Sequence, residues 1–337
     1  MMYIRHRLTM LMPFSALLLV LTLVLGACSG SAAAGGSTSS PGSLQNVSIG
    51  LGYIPDIQFA PFYVAQSKGY YKAAGLNVTL QNGIVNDVIG SMVLGHSTLA
   101  FATGDEVMVA RSKNLDVIDV ATIYQKYPVS LIVPANSSIH TLADLKGHSI
   151  GEPGPYGATH VGLLALLSYA HLTLSDVHVD EIGFNQVPAL LGHKVDAVMG
   201  YSNNEPLQLE AHNFPVRTFN VSDYQPLVSN GIITTTRTWQ SNPQMVKNFV
   251  QATIKGVQYT IAHPQEAVQI SAKYIPGLNT TQALTVLNAT IPIWQSHNPF
   301  GYNDPATWQS MTAFLVAQNI IPPGQNLTAA YTNIAGA

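Results

Sequence analysis

Cysteine is almost missing from this chain: Cys28 is the only one in 337 residues. A disulfide framework, a cysteine-built zinc site and thiol chemistry in the body of the protein are therefore excluded. Charge is scarce as well. Asp, Glu, Lys and Arg make up 9% of the chain, well below the ~25% usual for globular proteins. Beyond residue 27 there are only three arginines, Arg111, Arg217 and Arg237. With no basic patch, the composition excludes nucleic acid as a partner. The histidines are scattered, without the i, i+4 spacing and third ligand of a helical metal site, so no metal is expected.

What is present begins with Arg5, His6 and Arg7, then an apolar run over 8–25, then Leu25-Gly26-Ala27-Cys28. A basic start, an apolar centre and a small-residue end read as an export signal over 1–27. Cys28 sits where a lipoprotein carries its acyl chains, so it is the expected lipidation site and membrane anchor. The alternative is an uncleaved anchor helix, but Pro13 interrupts the run and no basic cluster follows it. Residues 28–45 are rich in Ser, Ala and Gly and read as a flexible tether. Removal of the signal leaves 310 residues with twelve basic and seventeen acidic side chains, long enough for two domains. The expected location is extracytoplasmic, held to the cell membrane by lipid.

The body alternates short apolar strands with helical segments, which predicts an open parallel α/β sheet with helices on both faces. Strands are expected near Val47, Val78, Leu99, Val117 and Val129. After Pro134 the pattern restarts as a second α/β unit, with strands near Ile150, Val177, Val195 and Val216. Ile232 opens a strand that returns to the first unit, and helices dominate after Trp239. The most distinctive stretch is Gly151-Glu152-Pro153-Gly154-Pro155-Tyr156-Gly157-Ala158-Thr159-His160. It reads as a rigid loop between a strand and a helix, presenting main-chain N–H groups at a helix N-terminus. It ends in no Gly-Lys-Ser/Thr and is not a nucleotide phosphate loop.

The run Gly52-Tyr53-Ile54-Pro55-Asp56, then Phe59-Ala60-Pro61-Phe62-Tyr63-Val64-Ala65, then Lys68-Gly69-Tyr70-Tyr71 resembles the NMT1/THI5-like (SsuA-like) substrate-binding proteins of ABC importers. So do Leu142-Ala143-Asp144-Leu145-Lys146-Gly147 and Val195-Asp196-Ala197-Val198. The resemblance implies a type II periplasmic-binding-protein fold, α/β, with two lobes joined by two crossover strands. One lobe would comprise 46–135 plus 232–337, the other 136–231. It further implies a small-molecule ligand trapped between the lobes, a membrane permease as partner, a monomer, no cofactor and no enzymatic activity. The loop Gly151–Gly157, Gln186-Val187-Pro188-Ala189 and Gly200-Tyr201-Ser202-Asn203-Asn204-Glu205 are most similar to binders of thiamine pyrimidine precursors or of riboflavin. Sulfonate or nitrate binding is the alternative. A further one is the pyrimidine synthase of the same fold family, which uses a cysteine-rich motif that this chain lacks.

Ligands of open α/β sheets bind at the carboxyl ends of strands. Four loops qualify. Tyr53, Asp56 and Phe59 lie on the first. Asp105 and Glu106 lie on the second, with Asp105 the expected helix cap. Gly154, Tyr156 and Gly157 belong to the Gly/Pro loop. Tyr201, Asn203, Asn204 and Glu205 form the fourth. Tyr124 is a further candidate near the hinge. The tyrosines offer flat faces for an aromatic ring, and Glu205 offers an acceptor for its N–H edge.

Overall fold

The structure, a computed structural model, describes residues 43–334. The expected export signal, Cys28 and nearly all of the expected tether lie outside these residues.

The first stretch builds most of one sheet. β1 (Gln45–Leu51) pairs in parallel with β2 (Leu76–Asn82), and β3 (Leu99–Thr103) and β4 (Val117–Thr122) follow. Every residue of β3 and β4 is buried, as expected for strands covered on both faces. Between them run α1 (Ala60–Ser67), α2 (Tyr70–Ala73), α3 (Val85–Val93) and α4 (Gly104–Ser112). Pro61 sits in the first turn of α1, where its missing N–H costs nothing.

The chain then crosses to a second sheet through 123–128. β5 (Val129–Pro134), β6 (Ser149–Glu152), α5 (Gly157–Tyr169), β7 (His178–Glu181), α6 (Gln186–Leu191), β8 (Ala197–Tyr201), α7 (Glu205–Ala211) and β9 (Val216–Asn220) form this lobe. It returns through 221–229 to β10 (Asn230–Thr235), followed by α8 (Thr236–Ser241), α9 (Pro243–Ala262), α10 (Pro264–Ser271), α11 (Thr280–Trp294) and α12 (Pro305–Ala317). Side-chain caps mark four of these starts. Thr235, Asn242, Asn279 and Asp304 accept N–H groups from the first turns of α8, α9, α11 and α12. All described residues belong to one compact unit.

The strand orders are β2-β1-β3-β10-β4 and β7-β6-β8-β5-β9. Both sheets are mixed rather than wholly parallel. β10 is antiparallel to β3 and β4, and β5 is antiparallel to β8 and β9. The chain enters each lobe at the hinge end and must run away from it, against the parallel strands that point towards it. This also moves a boundary. The sequence pattern puts the end of the first lobe's opening stretch at 135, but β5 belongs to the second sheet, so the crossing falls at 123–128.

The faces of the first sheet differ. One packs an apolar cluster with α1, α9, α10 and α11, including Phe62, Tyr63, Phe249 and Trp294. Gly256 of α9 lets this packing close: an added Cβ would lie 2.2 Å from the Pro61 carbonyl oxygen. The other face joins a cluster that continues into the second lobe, from Met92, Met108 and Trp308 to Leu131, Leu166 and Met199.

The two crossings are tied together. The N–H groups of Ile123 and Tyr124 both donate to the Asn230 carbonyl, at 2.9 and 3.0 Å. Tyr127 stands between the lobes. Its hydroxyl lies 3.1 Å from Asp105 Oδ1 on α4 and 3.1 Å from the Ala158 carbonyl oxygen on α5. A further bond joins the lobes away from the hinge. Thr290 on α11 gives its hydroxyl hydrogen to the Val286 carbonyl and accepts from Asn203 Nδ2 at 2.8 Å.

The C-terminal stretch is pinned to β4. Asp119 N–H donates to the Ala330 carbonyl, and Thr332 N–H to the Asp119 carbonyl, both at 2.9 Å. Asn303, fully buried, donates to Asp119 Oδ1 and accepts from Thr122 and Trp308. Burial pushes the Asp119 carboxyl up to about 7, against the lowering effect of Asn303.

Two outcomes follow from these bonds. The folded Asp119 holds its proton up to about pH 7, whereas the unfolded one loses it near pH 4. Its contribution to stability is thus complete in acid and falls as pH rises between those values. Asp119→Asn retains an acceptor for Asn303 and removes this dependence, so its melting temperature should fall less than the wild type's from pH 4.5 to 8. Tyr127→Phe leaves the buried Asp105 without that donor. Urea unfolding should show a loss of about 1–3 kcal/mol.

Candidate functional site

A partly open cavity lies between the lobes, the place where two-lobed α/β proteins hold small molecules. Its walls come from the carboxyl ends of strands in both sheets, as the parallel strands dictate. Lobe one contributes Tyr53 and Phe59 from the segment after β1, Phe101 from β3 and Glu106 from α4. Lobe two contributes Tyr156 and Gly157 from the Gly/Pro loop, and Tyr201, Asn204 and Glu205 from the loop after β8. Asn230, where the returning crossing begins β10, lies at the seam.

Eight of the thirteen ligand-site candidates read from the sequence therefore share one cavity. The other five do not line it, each for a physical reason. Asp56 is turned back to cap a short 3-10 turn, its Oδ1 accepting from Gln58 N at 3.0 Å. Asp105 is buried behind Glu106 and accepts from Tyr127. It is not the helix cap either: Thr103 holds that position, and Glu106 completes a capping box with it, Oε2 accepting Thr103 N–H at 2.8 Å. Tyr124 is a core residue packed edge-on to Trp294, 6.1 Å between centroids. Asn203 is held by Thr290. Gly154 is covered by Tyr156, whose ring would lie 2.5 Å from an added Cβ.

Some lining residues carry no signal in the sequence. Gln58, Ile84, Val85, Phe101 and Phe184 are exposed to the cavity by the closeness of the two lobes, which no local pattern encodes. Phe184 meets Tyr53 edge-on across the cleft, 4.8 Å between centroids and 79° between planes. The pair closes one end of the cavity with an aromatic joint.

Glu205 stands at the N-terminus of α7. Its Oε2 accepts Tyr201 N–H at 2.7 Å and its Oε1 accepts Asn204 Nδ2 at 3.3 Å. Burial pushes its carboxyl up to about 7, although the Tyr201 N–H pulls it down. Burial also raises the phenols of Tyr53 and Tyr201, and the charges of Glu205 and Glu106 respectively add to this. Among the described residues no Lys, Arg or His lines the cavity. Nor is any group of three or more His, Cys, Asp or Glu among them arranged to hold a metal.

The five residues Gly147-His148-Ser149-Ile150-Gly151 match the Gly-x-Ser-x-Gly spacing of hydrolases. The structure removes that meaning. Ser149 begins β6 instead of ending it, and its hydroxyl donates to Asp196 Oδ2 at 3.0 Å. His148 Nδ1 meets the same Asp196 oxygen, so no imidazole serves the serine.

Residues 56–267 match the family described as NMT1/THI5 like. The chain is 35% identical over 301 residues to the riboflavin-binding protein RibY of Chloroflexus aurantiacus, covering 86% of each chain. It is 25% identical over 311 residues to a formylaminopyrimidine-binding protein of Halalkalibacterium halodurans, covering 90% of this chain and 92% of that one. The alkanesulfonate-binding protein SsuA from Xanthomonas axonopodis pv. citri, solved bound to MOPS, shares the fold. Its TM-score is 0.70 at 16% identity, over 86% of this chain and 98% of that one. Motif order, two-lobe topology and these matches agree: the chain belongs to the NMT1/THI5-like family.

Proposed function

We propose that this protein is the extracytoplasmic, lipid-anchored receptor of an ABC importer, and that it captures a small aromatic heterocycle and delivers it to a membrane permease. The ligand class is that of riboflavin or a thiamine pyrimidine precursor. One observation carries the reading. The cavity combines aromatic walls from both lobes with the Glu205 carboxylate at a strand end, and no cationic side chain among the described residues faces it. A flat ring buried against Tyr53, Tyr156 and Tyr201 gains from desolvation and ring packing. Its N–H edge pairs with Glu205, an acceptor whose charge the α7 N-terminus favours. Closure of the lobes makes the cavity, and no bond needs to be made or broken.

The same lining argues against a sulfonate or nitrate ligand, which needs donors such as arginine. It argues against a synthase as well. Neither lysine nor histidine lines the cavity among the described residues, and the chain's one cysteine is Cys28. Anchoring through Cys28 rests on the sequence. Among the described residues no helix is long and apolar enough to cross a membrane.

A thermal-shift panel tests the reading. A heterocycle present at a hundred times its Kd should add about 2.7 kcal/mol of apparent stability, a rise of several degrees. A shift by an alkanesulfonate or nitrate, with none by riboflavin, thiamine or hydroxymethylpyrimidine, would sink it. Glu205→Gln should weaken the active heterocycle at least tenfold, since a hydrogen bond to a charged acceptor is lost. The free Glu205 titrates near pH 7, and a ligand N–H holds it ionised. Affinity measured by calorimetry should therefore rise from pH 6 to pH 8 and flatten in the variant.

A further inference from the structure

Glu205 is not the only carboxylate at this cavity. Glu106, in the first turn of α4, lines it from lobe one. Its two oxygens do different things. Oε2 is fixed by Thr103 N–H at 2.8 Å. Oε1 accepts no hydrogen bond among the described residues, and it faces Gly157 across the cleft. An added Cβ at Gly157 would lie 3.1 Å from Oε1. Gly157 has φ +72, a left-handed conformation that glycine adopts without strain, so the seam at this point is kept free of side chains.

The groups around Glu106 supply no counter-charge. Asp105 lies next to it on α4, with Tyr127 bonded to Asp105 from the crossing. From lobe two it is faced by Tyr201, whose phenol is raised by burial and then by the charges of Glu106, Asp105 and Glu205. Burial pushes the Glu106 carboxyl upward and the nearby Asp105 charge adds to this. Oε1 is thus an acceptor open to the cavity, with no lysine, arginine or histidine among the described residues lining the cavity beside it, and a ligand donor can occupy it.

We propose that Glu106 is a second ligand contact, and that it sets a donor requirement: the cavity takes a planar heterocycle carrying a hydroxyl or N–H group in addition to the edge read by Glu205, and rejects the same heterocycle as a phosphate ester. The proposal rests on the receptor reading above and narrows its substrate class to the unphosphorylated form. A hydroxyl donates to Oε1 and satisfies it. An ester oxygen brings negative charge into a cavity that already holds two carboxylates. Once both carboxyls are ionised, above about pH 8, like charges about 5 Å apart at the effective dielectric of protein sites cost more than a hundredfold in affinity. Nothing in the lining can offset this.

Calorimetry on the purified chain with two pairs of probes tests it: riboflavin against its 5′-phosphate, and hydroxymethylpyrimidine against its phosphate. For whichever pair binds, the wild-type chain at about pH 9, where both carboxyls are ionised, should favour the hydroxyl form at least a hundredfold. Glu106→Gln keeps a carbonyl for Thr103 N–H and turns an amide N–H₂ towards the cavity. It should bind the hydroxyl form at least tenfold more weakly and narrow the gap to the ester at least tenfold, with the ligand-free melting temperature nearly unchanged. Equal wild-type affinity for hydroxyl form and ester would overturn the inference without any variant. A folded Glu106→Gln that binds and discriminates like the wild type would also overturn it while leaving the receptor reading in place. If the wild-type chain binds neither member of either pair, the heterocycle reading falls and takes this inference with it.

Discussion

A chain that visits one sheet, leaves for another and comes back has to pass the hinge twice, and here the two passages are hydrogen-bonded to one another. The Asn230 carbonyl accepts both Ile123 N–H and Tyr124 N–H. Everything else is placed relative to that point. Each crossing ends as a buried antiparallel strand, β5 in one sheet and β10 in the other, so neither can slide without breaking a ladder on both sides. The parallel strands on either side then aim their carboxyl ends at the hinge. Loops that are far apart in sequence, after β1, β3, β6 and β8, are thereby gathered around one cavity.

The chemistry of the cavity follows from what the composition withholds. A chain with few charges places a disproportionate share of its acids at the hinge and cleft: Asp105, Glu106 and Glu205 are all buried there. Each is tethered by a local donor, respectively Tyr127 O–H, Thr103 N–H and Tyr201 N–H. None has a cationic partner among the cavity-lining residues. Such groups bias a site towards ligands that bring donors with them and against ligands that bring negative charge.

Much of this is legible in the amino-acid order alone. The alternation of strand and helix, the restart after Pro134 and the return near Ile232 mark two lobes, because periodicity and breakers are local signals. The strand-end loops point to Tyr53, Tyr156, Tyr201 and Glu205, because parallel sheets always present those ends. The sense of β5 and β10 is not legible, since an isolated apolar run has no direction. Nor is the division of labour between Asp105 and Glu106, which depends on where Tyr127 arrives from the crossing. Phe184 is out of reach for a similar reason: it matters only because Tyr53 comes to meet it from the other lobe.

Tyr127 has one hydrogen and two acceptors at the same distance, one on each lobe. The phenol is therefore a swivel and not a rivet. When α5 moves away, the hydrogen can remain with Asp105, and the Ala158 carbonyl turns to water in the widening cleft. The number of hydrogen bonds at the hinge is conserved through that exchange. Opening is then resisted at this point by the loss of packing alone, which leaves the bound molecule and the Asn203–Thr290 and Gln318–Ser168 bonds as polar ties between the two halves.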